Sequence, residues 1–178
     1  PLERINIIRK WILEYVESMD KPANCLVVGI SGGVDSAVVS TICAMTGMKT
    51  LVASMPISQR PEHHDLSIKH KNWITTKYSN CYGVEIDLTH TFLSFENQMV
   101  DMKFKDEMGL ANSRARMRMM CLYQLSASTS GIVVGTGNKI EDFGVGFYTK
   151  YGDGGVDISP IADCTKTEVW AMAKELGI

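Results

Sequence analysis

Residues 27–39 read VVGISGGVDSAVV: an apolar run, two adjacent glycines, an acid, and the start of a helical pattern, with no lysine among them. The run begins two residues earlier, as CLVVGI, a short continuous series rich in branched side chains. That is the pattern of a strand buried on both faces of a parallel sheet. A loop running from such a strand into a helix leaves backbone N–H groups unpaired, and glycine lets a ligand come close to them, so residues 31–36 read as an anion site. The stretch has neither the GxxxxGK[ST] of a Walker loop nor the GxGxxG of a dinucleotide fingerprint. A plain tight turn is the competing reading of the two glycines alone. Asp35 adds information. A carboxylate in the first turn of a helix is favourable in itself, yet beside a polyphosphate it repels the ligand unless a divalent cation lies between them. Helix charge and magnesium ligand are compatible readings of the same residue.

On the N-terminal side, Ile5, Ile8, Ile12, Tyr15, Val16 and Met19 recur at helical spacing and predict an amphipathic helix over 2–19, ended by the segment around Pro22. On the C-terminal side the pattern predicts a helix over 35–46, a strand over 50–54, a helix over 62–74 and a strand over 84–87. A helix containing Phe92, Phe95 and Met99, a helix over 112–128 and the strand IVVGTG (132–137) follow. This alternation predicts an α/β fold, a three-layer sandwich around a mostly parallel sheet. Ligands of such sheets bind at the carboxyl ends of the strands, where strand order reverses. Residues 135–166 break the alternation with glycines at 135, 137, 144, 146, 152, 154 and 155, and loops of this length tend to be functional. Next, TKTE (165–168) has the form of a capping box, with Val169, Met172, Ala173 and Leu176 as the buried face of its helix. Lys166 then sits in the first turn, where the macrodipole disfavours a cation by about 0.3–1 kcal/mol. A bound anion would reverse that sign; a lysine pointing to water is the alternative.

The 178 residues fit one domain with a sizeable core. Hydrophobic residues make up 45%, and no apolar run reaches the length of a membrane span, so no membrane anchor is expected. A net charge of −2 offers no basic field for nucleic acid, so an anionic ligand has to be met by individually placed cations. Five cysteines without a CxxC pair read as reduced thiols of a cytoplasmic protein. His63 and His64 are adjacent, do not face each other on a helix, and read as surface residues. The eleven methionines read as core filler. Pro1 at one end, and Gly177 with Ile178 at the other, read as trimmed termini.

SGGVDS resembles the SGGxDS loop of the PP-loop ATP pyrophosphatases. NSRARMRM (112–119), VVGTGNKIE (133–141), FYTKYGDGGVDISPI (147–161) and TKTEVW (165–170) follow it in the order and approximate spacing of ammonia-type NAD synthetases. The resemblance runs from about residue 25 to the end, and TKYGDGG makes it far more specific than the loop alone. It implies an adenine nucleotide alpha hydrolase-like fold and a ligase in which ATP adenylates the nicotinate carboxylate of deamido-NAD, releasing pyrophosphate. Ammonia then displaces AMP. In this resemblance Gly29, Ile30, Ser31, Gly32, Gly33, Val34, Asp35 and Ser36 surround the ATP phosphates, and Thr136 touches the nucleotide. Asp35 and Glu141 hold Mg2+, while Arg116, Lys150 and Asp157 meet the substrate. Lys166 neutralises the triphosphate and, with Asp35 and Lys150, forms the catalytic set. The family also implies a homodimer whose interface helps build the deamido-NAD site, and a chain continuing past the position of Ile178. Ser54-Met55-Pro56 departs from the Arg-Leu-Pro of several bacterial members and removes a nucleotide-contacting arginine. Two other readings remain open from the residues: another PP-loop enzyme, GMP synthetase-like or tRNA-modifying, and a non-catalytic nucleotide-binding regulatory module.

Overall fold

The computed structural model describes residues 1–58, 60–139 and 148–178. Among them four strands pair in parallel in the order β3-β2-β1-β4: β1 Cys25–Ile30, β2 Thr50–Ser54, β3 Cys81–Glu85 and β4 Gly131–Val133. The chain winds outward from β1 through β2 to β3 and then returns to the other side of β1, so strand order reverses between β1 and β4. Their carboxyl ends carry residues 29–31 and 134–136, which is where an open α/β sheet presents its crevice. The edge beyond β4 is extended by a bridge from Val134 to Ile158.

Side-chain alternation along β1 sorts the helices into two layers. Leu26 and Val28 face a core built with Ile5, Ile8, Ile12 and Val16 of α1 (Leu2–Ser18), Val38 and Ile42 of α2 (Val34–Met45), and Val169 and Met172 of α6 (Lys166–Leu176). Cys25 and Val27 face the other way, toward Leu122 and Leu125 of α5 (Glu107–Ser128). On that second face α4 (Thr89–Asp101) adds Phe92, while α3 (Pro61–Lys77) closes the first face with Ile74. Each fully buried branched side chain contributes about 1.5–3 kcal/mol relative to exposure. The three-layer α/β architecture is the one expected from the sequence.

β1, β2 and α6 lie where the pattern puts them. α5 begins at Glu107, earlier than residue 112, because the Asp106 carboxylate accepts the Gly109 N–H at 2.7 Å and caps it. β3 occupies 81–85, earlier than 84–87, because its register pairs Cys81 with Thr50 and Glu85 with Ser54. His64 is half-buried, with Nε2 3.2 Å from Glu85 Oε1, so the surface reading holds for His63 only. Methionine is not simply core filler: Met55 and Met172 are buried, but Met102, Met108 and Met120 of the α4–α5 unit are about 60% exposed. All five cysteines are free thiols. No helix among the described residues is long and apolar enough to cross a membrane.

Candidate functional site

The loop after β1 folds as a cradle. Gly32 has φ +86°, and a Cβ there would stand 2.5 Å from the His63 carbonyl oxygen, so both conformation and space require glycine. Ser31 and Ser36 close the loop on itself: the Ser31 N–H donates to Ser36 Oγ at 3.2 Å, and Ser36 Oγ donates to the Gly33 carbonyl at 3.1 Å. Gly33 serves as N-cap of α2 without a side chain to satisfy the first-turn N–H groups, which leaves them directed out of the helix end.

Asp35, in that first turn, is met from two directions. Asn138 Nδ2 donates to Oδ1 at 3.1 Å, and Lys166 Nζ pairs with Oδ2. The carboxylate side chain is 14% exposed and the lysine 40%. Asn138 is itself buried, on the glycine-rich loop after β4. Lys166 reaches this point because α6 starts at Thr165. Thr165 Oγ1 accepts the Glu168 N–H at 3.3 Å, while Glu168 Oε2 accepts the Thr165 N–H at 2.7 Å. Arg4 of α1 braces the box from outside, donating to Glu168 Oε1 at 2.9 Å. The Thr165 N–H, then Arg4, hold the Glu168 carboxyl below the usual range.

Beside the cradle is a cavity of about 350 Å³ lined by Gly29, Ile30, Ser31 and Thr136 at the sheet edge, Arg118 and Leu122 of α5, and Gly152 and Gly155. The YGDGG segment forms its outer wall by lying directly on α5. A Cβ on Gly152 would meet Thr149 and Ala115 at 2.9–3.0 Å, and Arg116 Nε donates to the Lys150 carbonyl at 3.0 Å. The Lys150 ammonium is exposed and lies 5.0 Å from the Tyr151 ring centroid.

Of the expected site residues, Gly29, Ile30, Ser31 and Thr136 line this cavity, Asp35 pairs with Lys166, and Arg116 is joined to Lys150, while Gly32, Gly33, Val34 and Ser36 line a separate cavity of about 400 Å³ with Trp73 and Trp170. Asp157 sits beside the edge strand. Its Oδ2 accepts the Val133 N–H at 2.7 Å and its Oδ1 accepts the Tyr123 hydroxyl at 2.9 Å, which ties the loop to the open edge of β4. Burial, then that hydrogen bond, pushes the Tyr123 phenol up to about 12. Glu141 lies outside the described residues. Arg118, which reads from the sequence as part of a solvated helix face, is instead half-buried in the cavity wall, and Asn138 drew no reading although it stands inside a quoted motif.

Among the described residues no group of three or more His, Cys, Asp or Glu could hold a metal ion by itself. One carboxylate beside an anion cradle nevertheless suits Mg2+, which takes one or two carboxylates and completes its shell with water and phosphate oxygens.

A glycine cradle at the reversal point of a parallel sheet defines an α/β protein with an anion-binding crevice. The profile of the NAD synthase family matches residues 4–178. The NH(3)-dependent NAD(+) synthetase of Carboxydothermus hydrogenoformans is 36% identical over 177 residues, 99% of this chain and 70% of that protein. That of Methanosarcina acetivorans is 36% identical over 174 residues, 94% of this chain and 65% of its own length. Among solved structures, the NMN synthetase from Francisella tularensis superposes with a TM-score of 0.88 at 28% identity, covering 100% of this chain and 71% of that one. The NH3-dependent NAD synthetase from Campylobacter jejuni in complex with the nitrate ion gives 0.86 at 28% identity, with 99% and 73% covered. The chain belongs to the NAD synthase family. That membership decides against a GMP synthetase-like or tRNA-modifying assignment.

Proposed function

We propose that this chain is an AMP-forming ligase that amidates deamido-NAD to NAD with ammonia, using ATP, the co-substrate of its family. The observation that carries the reading is the meeting of Asp35 and Lys166, residues 131 apart, across the mouth of the glycine cradle. An acid and a base at that point suit a phosphate chain accompanied by a dication. Mg2+, when bound, supplies charge neutralisation between the phosphates; Asp35 is the described residue that would hold it, with Glu141 as the second carboxylate implied by the family motif.

In this reading residues 29–36 and Thr136 bind ATP, with the loop N–H groups and the Ser31 and Ser36 hydroxyls donating to phosphate oxygens. The nicotinate carboxylate oxygen bonds to the α-phosphorus as the bond to the β-phosphate oxygen breaks and pyrophosphate leaves with the electron pair. Lys166 neutralises the departing pyrophosphate. Ammonia then adds to the carbonyl carbon, AMP departs, and the surplus proton passes to solvent. Arg116 and Lys150 hold the substrate at the cavity mouth, and Asp157 positions that wall through Val133 and Tyr123. Positioning and charge stabilisation supply most of the acceleration in such a site. The free thiols support a cytoplasmic setting, and the exposed apolar side chains of the α4–α5 unit support a homodimer.

The similarity to an NMN synthetase favours a second reading, in which the acceptor is the mononucleotide acid. Both are tested by incubating the protein with ATP, Mg2+, ammonia and either deamido-NAD or nicotinate mononucleotide. Stoichiometric AMP and NAD from the first acceptor, at the higher kcat/KM, is the expected result. Preference for the mononucleotide selects the second reading, and ATP binding without AMP from either acceptor leaves only a regulatory module.

A further inference from the structure

The three arginines of the NSRARMRM helix have three different environments. Arg114 is paired with Glu96 at 3.6 Å and lies over the Phe92 ring at 4.6 Å, so its charge is accounted for within the fold. Arg116 is exposed and donates Nε to the Lys150 carbonyl. Arg118 is half-buried in the cavity wall beside the cradle, and its Nε donates to the Met55 carbonyl at 2.9 Å. Among the described residues it has no ion pair.

Burial, then the neighbouring Arg114, lowers the pKa of the Arg118 guanidinium. A desolvated cation without a counter-ion is an unfavourable arrangement that an incoming anion relieves. The Nε bond fixes the plane of the guanidinium and leaves its two terminal nitrogens as a preset fork, the geometry that grips a phosphoryl group through two oxygens. Ser31 and Thr136 line the same cavity, while Met55, Leu122, Val134 and Val156 give the remainder an apolar lining suited to a base and ribose. A phosphoryl group reached by both the cradle and this fork adjoins the nucleoside, with the outer phosphates leading on toward Asp35 and Lys166.

We infer that Arg118 binds the α-phosphoryl oxygens of the nucleotide and is a catalytic residue of the adenylation step, where charge builds on that phosphorus as the carboxylate oxygen bonds and pyrophosphate leaves. The inference rests on the nucleotide reading of the cavity given above. In this chain, with Ser54-Met55-Pro56 at the end of β2, the cation beside position 55 comes from α5, held by the Met55 carbonyl itself.

Calorimetric titration of the whole protein with adenosine, AMP and ATP tests this. For Arg118→Gln the expected result is AMP affinity about 10- to 100-fold weaker, the range of a charge-assisted hydrogen bond, with adenosine affinity unchanged. Arg118→Lys, which keeps the charge but not the fork, falls between, and it carries the test if the glutamine variant does not fold. A wall residue would weaken adenosine and AMP alike, and that result, or unchanged AMP affinity, overturns the assignment. Wild-type protein that binds neither ligand overturns the nucleotide reading, and this assignment with it.

Discussion

Asp35 is the residue on which the local chemistry turns. One oxygen accepts from Asn138 and the other from Lys166, so its charge is balanced by the protein itself. In the proposed reaction a phosphate chain arriving with a dication would offer both partners something better: phosphate oxygens for the lysine and the metal for the carboxylate. Asp35→Asn keeps the shape and removes the charge. It is expected to make ATP affinity insensitive to Mg2+ and to lower turnover about 100-fold or more, the scale of losing a placed electrostatic group. Titrating ATP with and without Mg2+ checks the first part, and unchanged Mg2+ dependence would remove Asp35 from the metal site. Both members of the pair were legible as local oddities, an acid where phosphate belongs and a lysine where the helix dipole disfavours it. Their meeting was implied only by the resemblance, which puts both at the triphosphate, since no local pattern marks a pairing across 131 residues. Asn138 gave no signal, because one amide in a glycine-rich loop has no periodicity to stand against.

Elements turn these residues into a site by fixing where helices begin. α6 starts at Thr165 through the reciprocal capping box, and Arg4 of α1 holds the outer oxygen of Glu168. Because Lys166 is the first residue of α6, the cap sets the direction from which it reaches Asp35. Thr165→Ala is expected to destabilise the protein by about 1 kcal/mol, a fall in melting temperature of about 2–4 °C for this chain length. KM for ATP should rise in the same variant, since Lys166 is no longer aimed. A lower melting temperature with KM unaltered would mean that the cap serves stability alone. The cap, its buried face and β1 were readable because each is a local rule written in consecutive residues. α5 was read short: its three arginines and exposed methionines blur the apolar period, and its true start depends on the Asp106 side chain. β3 was read late, since Gly83 interrupts its pattern and pairing with β2 sets its limits. A Cβ at Gly83 would meet the Lys71 side chain at 2.5 Å, so glycine leaves room there for the lysine stem that α3 lays on the sheet.

At the scale of the molecule, alternation of apolar runs and helical periods announced a parallel sheet, but not the order β3-β2-β1-β4, which depends on contacts between distant segments. That order matters because it puts the reversal point, and with it the cradle, between β1 and β4. It also separates the two outer layers. Among the described residues α1, α2, α3 and α6 cover one face, while α4 and α5 cover the other, where Leu93, Phe95, Val100, Met102, Phe104, Met108 and Met120 are exposed. Scattered apolar side chains are normal on a surface, and these seven on α4, α5 and their connection are the observation behind the proposed homodimer. α5 also carries Arg116 and Arg118, so a second copy seated here would lie next to the substrate end of the cavity. Met102 and Phe104 are 63% and 66% exposed and stand in the α4–α5 connection, so charging them leaves the core untouched. If the proposed homodimer forms through this face, the parent is expected to sediment as a dimer and the variant carrying Met102→Glu and Phe104→Glu together as a monomer with its melting curve intact. Its ATP affinity should be preserved while KM for deamido-NAD rises, because the cradle lies within one chain and, in the proposed dimer, the acceptor site draws on the interface. A variant that still sediments as a dimer would move the contact to another face of the sheet.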